Sequence, residues 1–303
     1  MADVIVCTPK QLPREKWVAA AQVARSINPV NHPSLHLLGA VDRGFAPTPE
    51  RIAVVTTKFW HTKGVRLTVG FLDDPPADLR ARIISHMNAW ATTANVQFTE
   101  SNTDPQVRIA RDGGQNGGYW SYVGTDILTA ESNEPTMNLE GFTMNTPDSE
   151  FHRVVRHETG HTLGCPHEHM RRELVALIDP KKAIKFFGKT QGWSPQEVRQ
   201  QVLTPIEESS LLGTAHADPN SIMCYQIPGI VTKNGKPIVG GTDIDPQDFD
   251  FMGKIYPKSV APGLVTSQPP SPDAGASDRD AVARLTADLD VLKRAIGILS
   301  RSA

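Results

Sequence analysis

The segment from His157 to His167 combines residue types and spacings that suit metal chemistry, and it reads HETGHTLGCPH. A separation of four residues places His157 and His161 on one helix face, so both imidazoles can reach a single ion. Glu158 is offset around the helix and can take a proton from a water beside that ion. Gly164 can adopt positive φ and end the helix, which brings His167 round as a third ligand. Three neutral imidazoles leave one position open, so the pattern predicts a catalytic site for one zinc ion per chain rather than a closed structural site.

A second short motif, SIMCY, occupies residues 221–225. A Ser-x-Met-x-Tyr segment that follows the long histidine motif resembles the Met-turn of metzincin peptidases. The resemblance implies that the side chain of Met223 forms an apolar floor beneath the metal-binding histidines.

Further residues resemble the astacin family in particular. Glu168 follows the third histidine directly, where serralysins carry proline, and HEHMR at residues 167–171 is similar to an astacin segment. YWSYVG at 119–124 looks like the edge strand beside the astacin cleft, and Ile255-Tyr256 looks like the end of that domain. The serralysin alternative is also disfavoured because the chain lacks Gly-Gly-x-Gly-x-Asp repeats.

The astacin resemblance implies a zinc-dependent endopeptidase that acts on proteins or peptides, with Glu158 as general base. It implies that Tyr225 is a further zinc ligand that swings away to stabilise the oxyanion. It also implies that Glu168 pairs with the amine of a new N-terminus. The alternative is a catalytically silent, zinc-containing binding or toxin-like module assembled by its C-terminal coiled coil, although intact Glu158 and Tyr225 argue against it.

The implied fold is α+β, a metzincin with two subdomains: a twisted sheet, an active-site helix and a Met-turn, plus a C-terminal helix. Periodicity and capping signals predict individual elements within this frame. Helices are expected at 13–27, 76–94 and 146–164 and from residues 180 and 195, and strands at 65–71, 96–100, 107–111 and 119–129.

Composition divides the chain into four segments. Residues 1–50 read as an N-terminal extension or pro-like segment, 51–257 as the catalytic domain, and 258–277 as a Pro/Ser-rich linker. In 278–301, apolar residues alternate at spacings of three and four, as in a short coiled coil that could make the chain a homo-oligomer. A single helix that docks on its own domain is the alternative.

A formal net charge of −2 gives no basic field for nucleic acid or for an anionic membrane. No apolar run is long enough to span a bilayer. The N-terminus lacks the features of a signal peptide, so we expect a cytoplasmic protein, export by a non-standard route, or a sequence shown without its leader.

Three cysteines are too few for a disulfide framework. Cys165 and Cys224 lie inside the two metal motifs and could form a disulfide, a thiol pair for metal or, as we favour, small buried apolar groups. The astacin propeptide switch, Phe-x-Gly-Asp, is absent from residues 1–50, so Cys7 is a candidate latency ligand; an ordinary buried thiol is the alternative. The remaining histidines have no partner spacing and are expected to be surface or core side chains: His32, His36, His61, His86, His152 and His216.

Overall fold

The computed structural model describes residue 7 and residues 10–31, 57–114, 117–205 and 217–258. The linker 259–277 and the coiled-coil segment 278–301 lie outside the described residues, as do His32, His36 and His216. The boundary at residue 51 also stays a prediction. Among the described helices, none is both long and apolar enough to cross a membrane.

A five-stranded sheet forms the upper half of the molecule, in the order β2-β1-β3-β5-β4. Its strands are parallel except β4, which pairs antiparallel with β5 at one edge. The strands are β1 (Val65–Phe71), β2 (Val96–Glu100), β3 (Val107–Ala110), β4 (Tyr119–Ser121) and β5 (Met137–Leu139). The mixed sheet with its helices confirms the α+β fold.

Seven α-helices and their extensions accompany this sheet in the described residues. They are α1 (Trp17–Ile27), α2 (Ala77–Met87), α3 (Arg156–Thr162), α4 (Arg172–Val175), α5 (Pro180–Thr190), α6 (Pro195–Val198) and α7 (Pro246–Ile255). Helix α3 continues a helical stretch that begins with Asp148–Glu150 and passes through π-helical turns at Phe151–Val155. A Ser194–Glu197 capping box opens α6, as the sequence predicts.

Helix α2 covers the sheet through a single apolar face. Leu79, Ile83 and Met87 recur at helical spacing and are fully buried in the upper core. Beyond Met87 the chain continues as a 3-10 helix (Asn88–Thr92), so the predicted helix over 76–94 is α-helical only in its first part.

Helix α1 packs on the same upper half. Ala20, Ala21 and Ala24 are buried, and the helix lies against a 3-10 turn at Gly124–Leu128. The Asn31 side chain donates to the carbonyl of Phe59, which fixes the end of the helix to the chain that enters the sheet. Part of the N-terminal segment is therefore integrated into the core.

The predicted strand over 119–129 is wrong beyond Ser121. Gly124 has φ of +52°, and a Cβ at this position would lie 1.9 Å from the Lys58 carbonyl oxygen. The backbone therefore turns away from the sheet at this close approach, and the 3-10 turn follows.

The lower half has its own apolar cluster, which is separate from the upper core. Ile178, Phe187, Val198 and Ile227 pack together there, and Tyr225 belongs to the same cluster. The active-site helix ends between the two clusters, which places the functional site at their junction.

Candidate active site and metal centre

Helix α3 presents two histidines one turn apart, and the backbone around it sets their tautomers. His157 Nδ1 lies 2.6 Å from the carbonyl oxygen of Ile222, and His161 Nδ1 lies 2.7 Å from that of Cys165. A carbonyl only accepts, so each Nδ1 carries the proton and each Nε2 keeps its lone pair. Both Nε2 atoms point towards His167.

The third histidine reaches the site because the chain reverses at Gly164. Its φ is +103°, and a Cβ there would lie 2.9 Å from Phe59 Cδ1, so only glycine fits without strain. The turn brings His167 Nε2 to 3.0 Å from His161 Nε2 and 3.2 Å from His157 Nε2.

The end of the helix is also locked from the opposite side. Trp60 Nε1 donates to the carbonyl of Thr162, and the Tyr256 hydroxyl donates to that of Leu163 at 2.6 Å. Ser121 of β4 shares a hydrogen bond with the Thr162 hydroxyl, so the edge strand is fixed to the same turn. These contacts hold the three histidines with little freedom.

The donor set fits a zinc ion. Nitrogens bound at about 2.0–2.1 Å in a tetrahedron lie roughly 3.3 Å apart, close to the separations found here. Burial lowers the pKa of His157 to about 4 and also lowers those of His161 and His167, so all three rings are neutral ligands at pH 7. His157 and His161 both direct an Nε2 lone pair towards His167, and three neutral imidazole nitrogens that converge at this distance suit a cation.

Glu158 lies beside the three histidines and is not one of the converging nitrogen donors. Its side chain is almost fully buried, and burial raises its pKa to about 8. Oε2 accepts a hydrogen bond from the Cys7 thiol at 3.4 Å. A buried carboxyl with a pKa near neutrality suits a group that takes and returns a proton.

The N-terminal arm brings Cys7 into the same site. Its thiol is buried, and its sulfur and one nitrogen from each zinc-motif histidine all lie within 4.8 Å of one another. Burial, followed by the adjacent Glu158 carboxylate, raises the pKa of the thiol. The structure therefore brings Cys7 together with the histidines, although 151 positions separate it from Glu158 in the sequence.

Tyr225 reaches the site from the lower half. Its ring stacks on His169 with centroids 4.0 Å apart and lies 4.2 Å from the His167 ring. Its hydroxyl is buried, and burial followed by the charges of Cys7 and Glu158 raises its pKa. The stacking on His169 was not foreseen from the sequence, where only the HEHMR segment marks that residue.

The turn at 221–225 supports the histidines from below. A Cβ on Gly160 of α3 would lie 2.4 Å from Met223 Sδ, so helix and methionine are in direct contact. Asp248 of α7 accepts from the Ser221 hydroxyl at 2.6 Å and from Ile222 N–H at 2.8 Å. The carbonyl of Ile222 accepts the hydrogen bond from His157 Nδ1, so α7 is connected to the first histidine through this turn.

Glu168 lies behind the third histidine. It pairs with Arg171 at 3.2 Å and accepts from the backbone N–H of Asp218 at 3.0 Å. Burial raises its pKa to about 7. Its role towards a new N-terminal amine stays a prediction.

The two motif cysteines do not touch the zinc-binding nitrogens. Cys165 packs in the upper core and Cys224 in the lower cluster, and both thiols are free and buried. Of the three alternatives for Cys165 and Cys224, the structure therefore supports the one in which both are small buried apolar groups.

A cavity of roughly 270 Å³ opens beside Glu158 and Tyr225. Tyr119 of β4 and Arg153 of the π-helical turn also line it. Arg153 forms a bidentate pair with Glu150, which lines the same cavity.

A helix with two histidines, a glycine turn with a third and a methionine-bearing turn beneath them define a zinc peptidase of the metzincin class. The family model for the astacin peptidases matches residues 54–231, more than half of the sequence. The chain belongs to the astacin family, whose members are metallopeptidases with one catalytic zinc.

Individual relatives agree with this assignment. "Zinc metalloproteinase nas-27" of Caenorhabditis elegans is 30% identical over 104 residues, which make up 34% of this chain and 22% of that protein. The match therefore spans about a fifth of the relative's length. Two solved structures of myroilysin are each 30% identical to this chain, with TM-scores of 0.62 and 0.51. The matched region covers 67% of this chain in both cases and 97% and 86% of the two myroilysin chains.

Proposed function

We propose that this chain is a zinc-dependent endopeptidase that cleaves proteins or peptides, with His157, His161 and His167 as the zinc ligands. The observation that carries the proposal is the convergence of three Nε2 atoms, with those of His157 and His161 at 3.2 and 3.0 Å from that of His167, beside the buried Glu158 carboxyl. A bound zinc ion polarises a peptide carbonyl and lowers the pKa of a water molecule.

Glu158 is the general base and then the general acid. Oε2 accepts a proton from the attacking water and delivers it to the nitrogen of the leaving amine. Its raised pKa, which burial sets near 8, favours both transfers around neutral pH.

Tyr225 is the hydrogen-bond donor to the carbonyl oxygen of the substrate. Its hydroxyl is buried near Glu158, and its ring packs against the rings of both His167 and His169. A fixed donor stabilises the charge that develops on that oxygen because it needs no reorganisation. The substrate would extend β4 at its open edge, with Tyr119 next to the cavity.

Substitution of Glu158 tests the base. Glu158→Gln keeps one zinc per chain, because the three nitrogens are untouched, and lowers kcat on a protein substrate by about 10²–10⁴. Glu134→Gln is the matched control, since Glu134 is an exposed glutamate outside the site. Wild-type turnover in Glu158→Gln would rule out this base, and a zinc-loaded protein that cleaves nothing even after Cys7→Ala would favour the silent binding module.

Cys7 is the proposed latency ligand, and it would compete with water for the open zinc position. Zinc binds thiolate readily and deprotonates it on coordination. The clustering of its sulfur with the three histidine nitrogens supports this role over that of an ordinary buried thiol.

Cys7→Ala tests the latency ligand. The variant should cleave substrate without prior processing, whereas Cys165→Ala, which removes a buried thiol outside the ligand cluster, should stay as latent as the wild type. Cobalt in place of zinc should give a sulfur charge-transfer band that Cys7→Ala lacks. Equal activity of Cys7→Ala and the full-length wild type, with identical cobalt spectra, would leave Cys7 a plain buried residue.

A further inference from the structure

Two histidines and an aspartate meet beside the helical turns that lead to the zinc motif. His86 lies at the end of α2, and Asp148 and His152 lie in the turns that lead into α3. The cluster shares no residue with the group formed by Cys7 and the three histidines of the zinc motif. The cluster therefore does not belong to the catalytic zinc site.

The distances within the cluster suit a metal ion. Asp148 Oδ2 lies 3.2 Å from His152 Nε2, and Asp148 Oδ1 lies 3.5 Å from His86 Nε2. All three side chains offer a ligand atom within 4.8 Å of the others. Tetrahedral ligands around zinc lie about 3.3 Å apart, so little movement is needed for these three to share an ion.

The orientation of the His152 ring also suits a shared metal ion. His152 Nδ1 lies 2.7 Å from Asp243 Oδ2 and must donate its proton to that carboxylate. Nε2 then points towards Asp148, whose Oδ2 lies 3.2 Å away, so the ring and the carboxylate face the same point. A carboxylate that holds the far nitrogen of a histidine is the usual support for a metal-binding imidazole.

His86 is available as a neutral ligand. Its ring is largely buried against Phe151, and its Nδ1 has no hydrogen-bond partner among the described residues. Burial, followed by the nearby charge of Arg156, lowers its pKa, so the ring is neutral at pH 7.

Two arginines border the cluster, and a carboxylate neutralises each of them. Arg82 pairs with Asp148 Oδ1 at 3.0 Å and leaves Oδ2 available. Arg156 pairs with Asp243 Oδ1 at 2.6 Å, and its other amino group lies 3.4 Å from His152 Nε2. That amino group must turn aside when an ion binds, which lowers the affinity but does not block the site.

We propose that His86, Asp148 and His152 bind a second divalent ion, Zn²⁺, with water completing its coordination. Two imidazoles and one carboxylate form a donor set that suits zinc. The ion would join the end of α2 to the helical turns that precede the catalytic histidines, and it would therefore stabilise the approach to α3.

Zinc counting in the Glu158→Gln background, which is protected from self-digestion, tests the site. At micromolar free zinc the full chain should bind two ions, and His152→Ala or His86→Ala should bind one. His61→Ala, which removes an exposed histidine elsewhere, should still bind two. One ion in every protein would overturn the proposal, as would two ions in both cluster variants.

Thermal unfolding gives an independent readout. Raising zinc from one to several equivalents should increase the Tm of the parent by about 2–4 °C and leave that of His152→Ala unchanged. An equal shift in both proteins would assign the second ion to another place. Neither measurement depends on turnover, so a failure of the catalytic assignment would not be mistaken for a failure here.

Discussion

Asp248→Asn should weaken the connection between α7 and the turn beneath the metal site. The Asp248 carboxylate accepts from the Ser221 hydroxyl, from Ile222 N–H and from Asp245 N–H. An asparagine has only one oxygen acceptor, whereas both oxygens of the carboxyl group can accept in its ionised and its neutral form, and the amide N–H would face a donor, at a cost of about 1–3 kcal/mol. His157 bonds to the carbonyl of Ile222, so zinc affinity should also fall, by up to about tenfold.

The pH dependence of this effect follows from the pKa of Asp248. Burial raises it from 3.8 to about 6, although the three hydrogen bonds oppose the shift. A raised carboxyl pKa adds stability that is complete below pH 3.8 and is lost as the pH rises through 6. The loss is about 3 kcal/mol between pH 4 and pH 8, at about 1.36 kcal/mol per pKa unit. Asparagine does not titrate, so the deficit of Asp248→Asn should be largest at pH 4.

Urea unfolding of both proteins between pH 4 and pH 8 measures this difference. Both proteins are unfolded in the presence of a chelator, so that neither acid release of the metal nor the lower zinc affinity of the variant enters the difference in their free energies of unfolding. Asp250→Asn is the control, because that exposed aspartate on the same helix pairs only with Lys254 among the described residues. A difference that stays constant, or grows towards pH 8, would refute the argument.

Two further predictions concern the donor and the C-terminal segment. Tyr225→Phe should lower kcat by about 10²–10³ with little change in KM in steady-state assays, since it removes one donor to the oxyanion; an unchanged kcat would reduce Tyr225 to a structural residue. A chain that ends at Pro257 should have a lower molar mass per particle than the full chain by light scattering, beyond the mass removed, because an isolated helix over 278–301 is marginal without partners. Monomers in both cases would contradict the coiled coil.

Much of the candidate site could be predicted from the sequence because its geometry is local. The spacing of His157 and His161 is a property of one helix, and Gly164 marks the only kind of residue that tolerates φ of +103° there. The capping box at Ser194 is equally local. Such features depend on residues a few positions apart, so the chain specifies them without its tertiary structure.

Other features required the folded chain. Strand β5 has only three residues, and the strand predicted beyond Ser121 gives way because Gly124 packs on a distant carbonyl. Hydrogen bonds from β4 and from Tyr256 to the end of α3 join residues that are far apart in sequence. No periodicity reveals such pairs.

The largest gap between sequence and structure concerns isolated titratable residues. No sequence spacing connects Cys7 with the zinc motif, yet its thiol lies beside Glu158, which is 151 positions away in the sequence. His86 and His152 read as unrelated surface or core side chains and meet only because α2 packs against the helical stretch before α3. The sequence by itself determined the family and the three histidines that converge, because their motif lies in one short segment. Only the tertiary structure decided which distant side chains share a site with them, because that depends on how helices and strands pack.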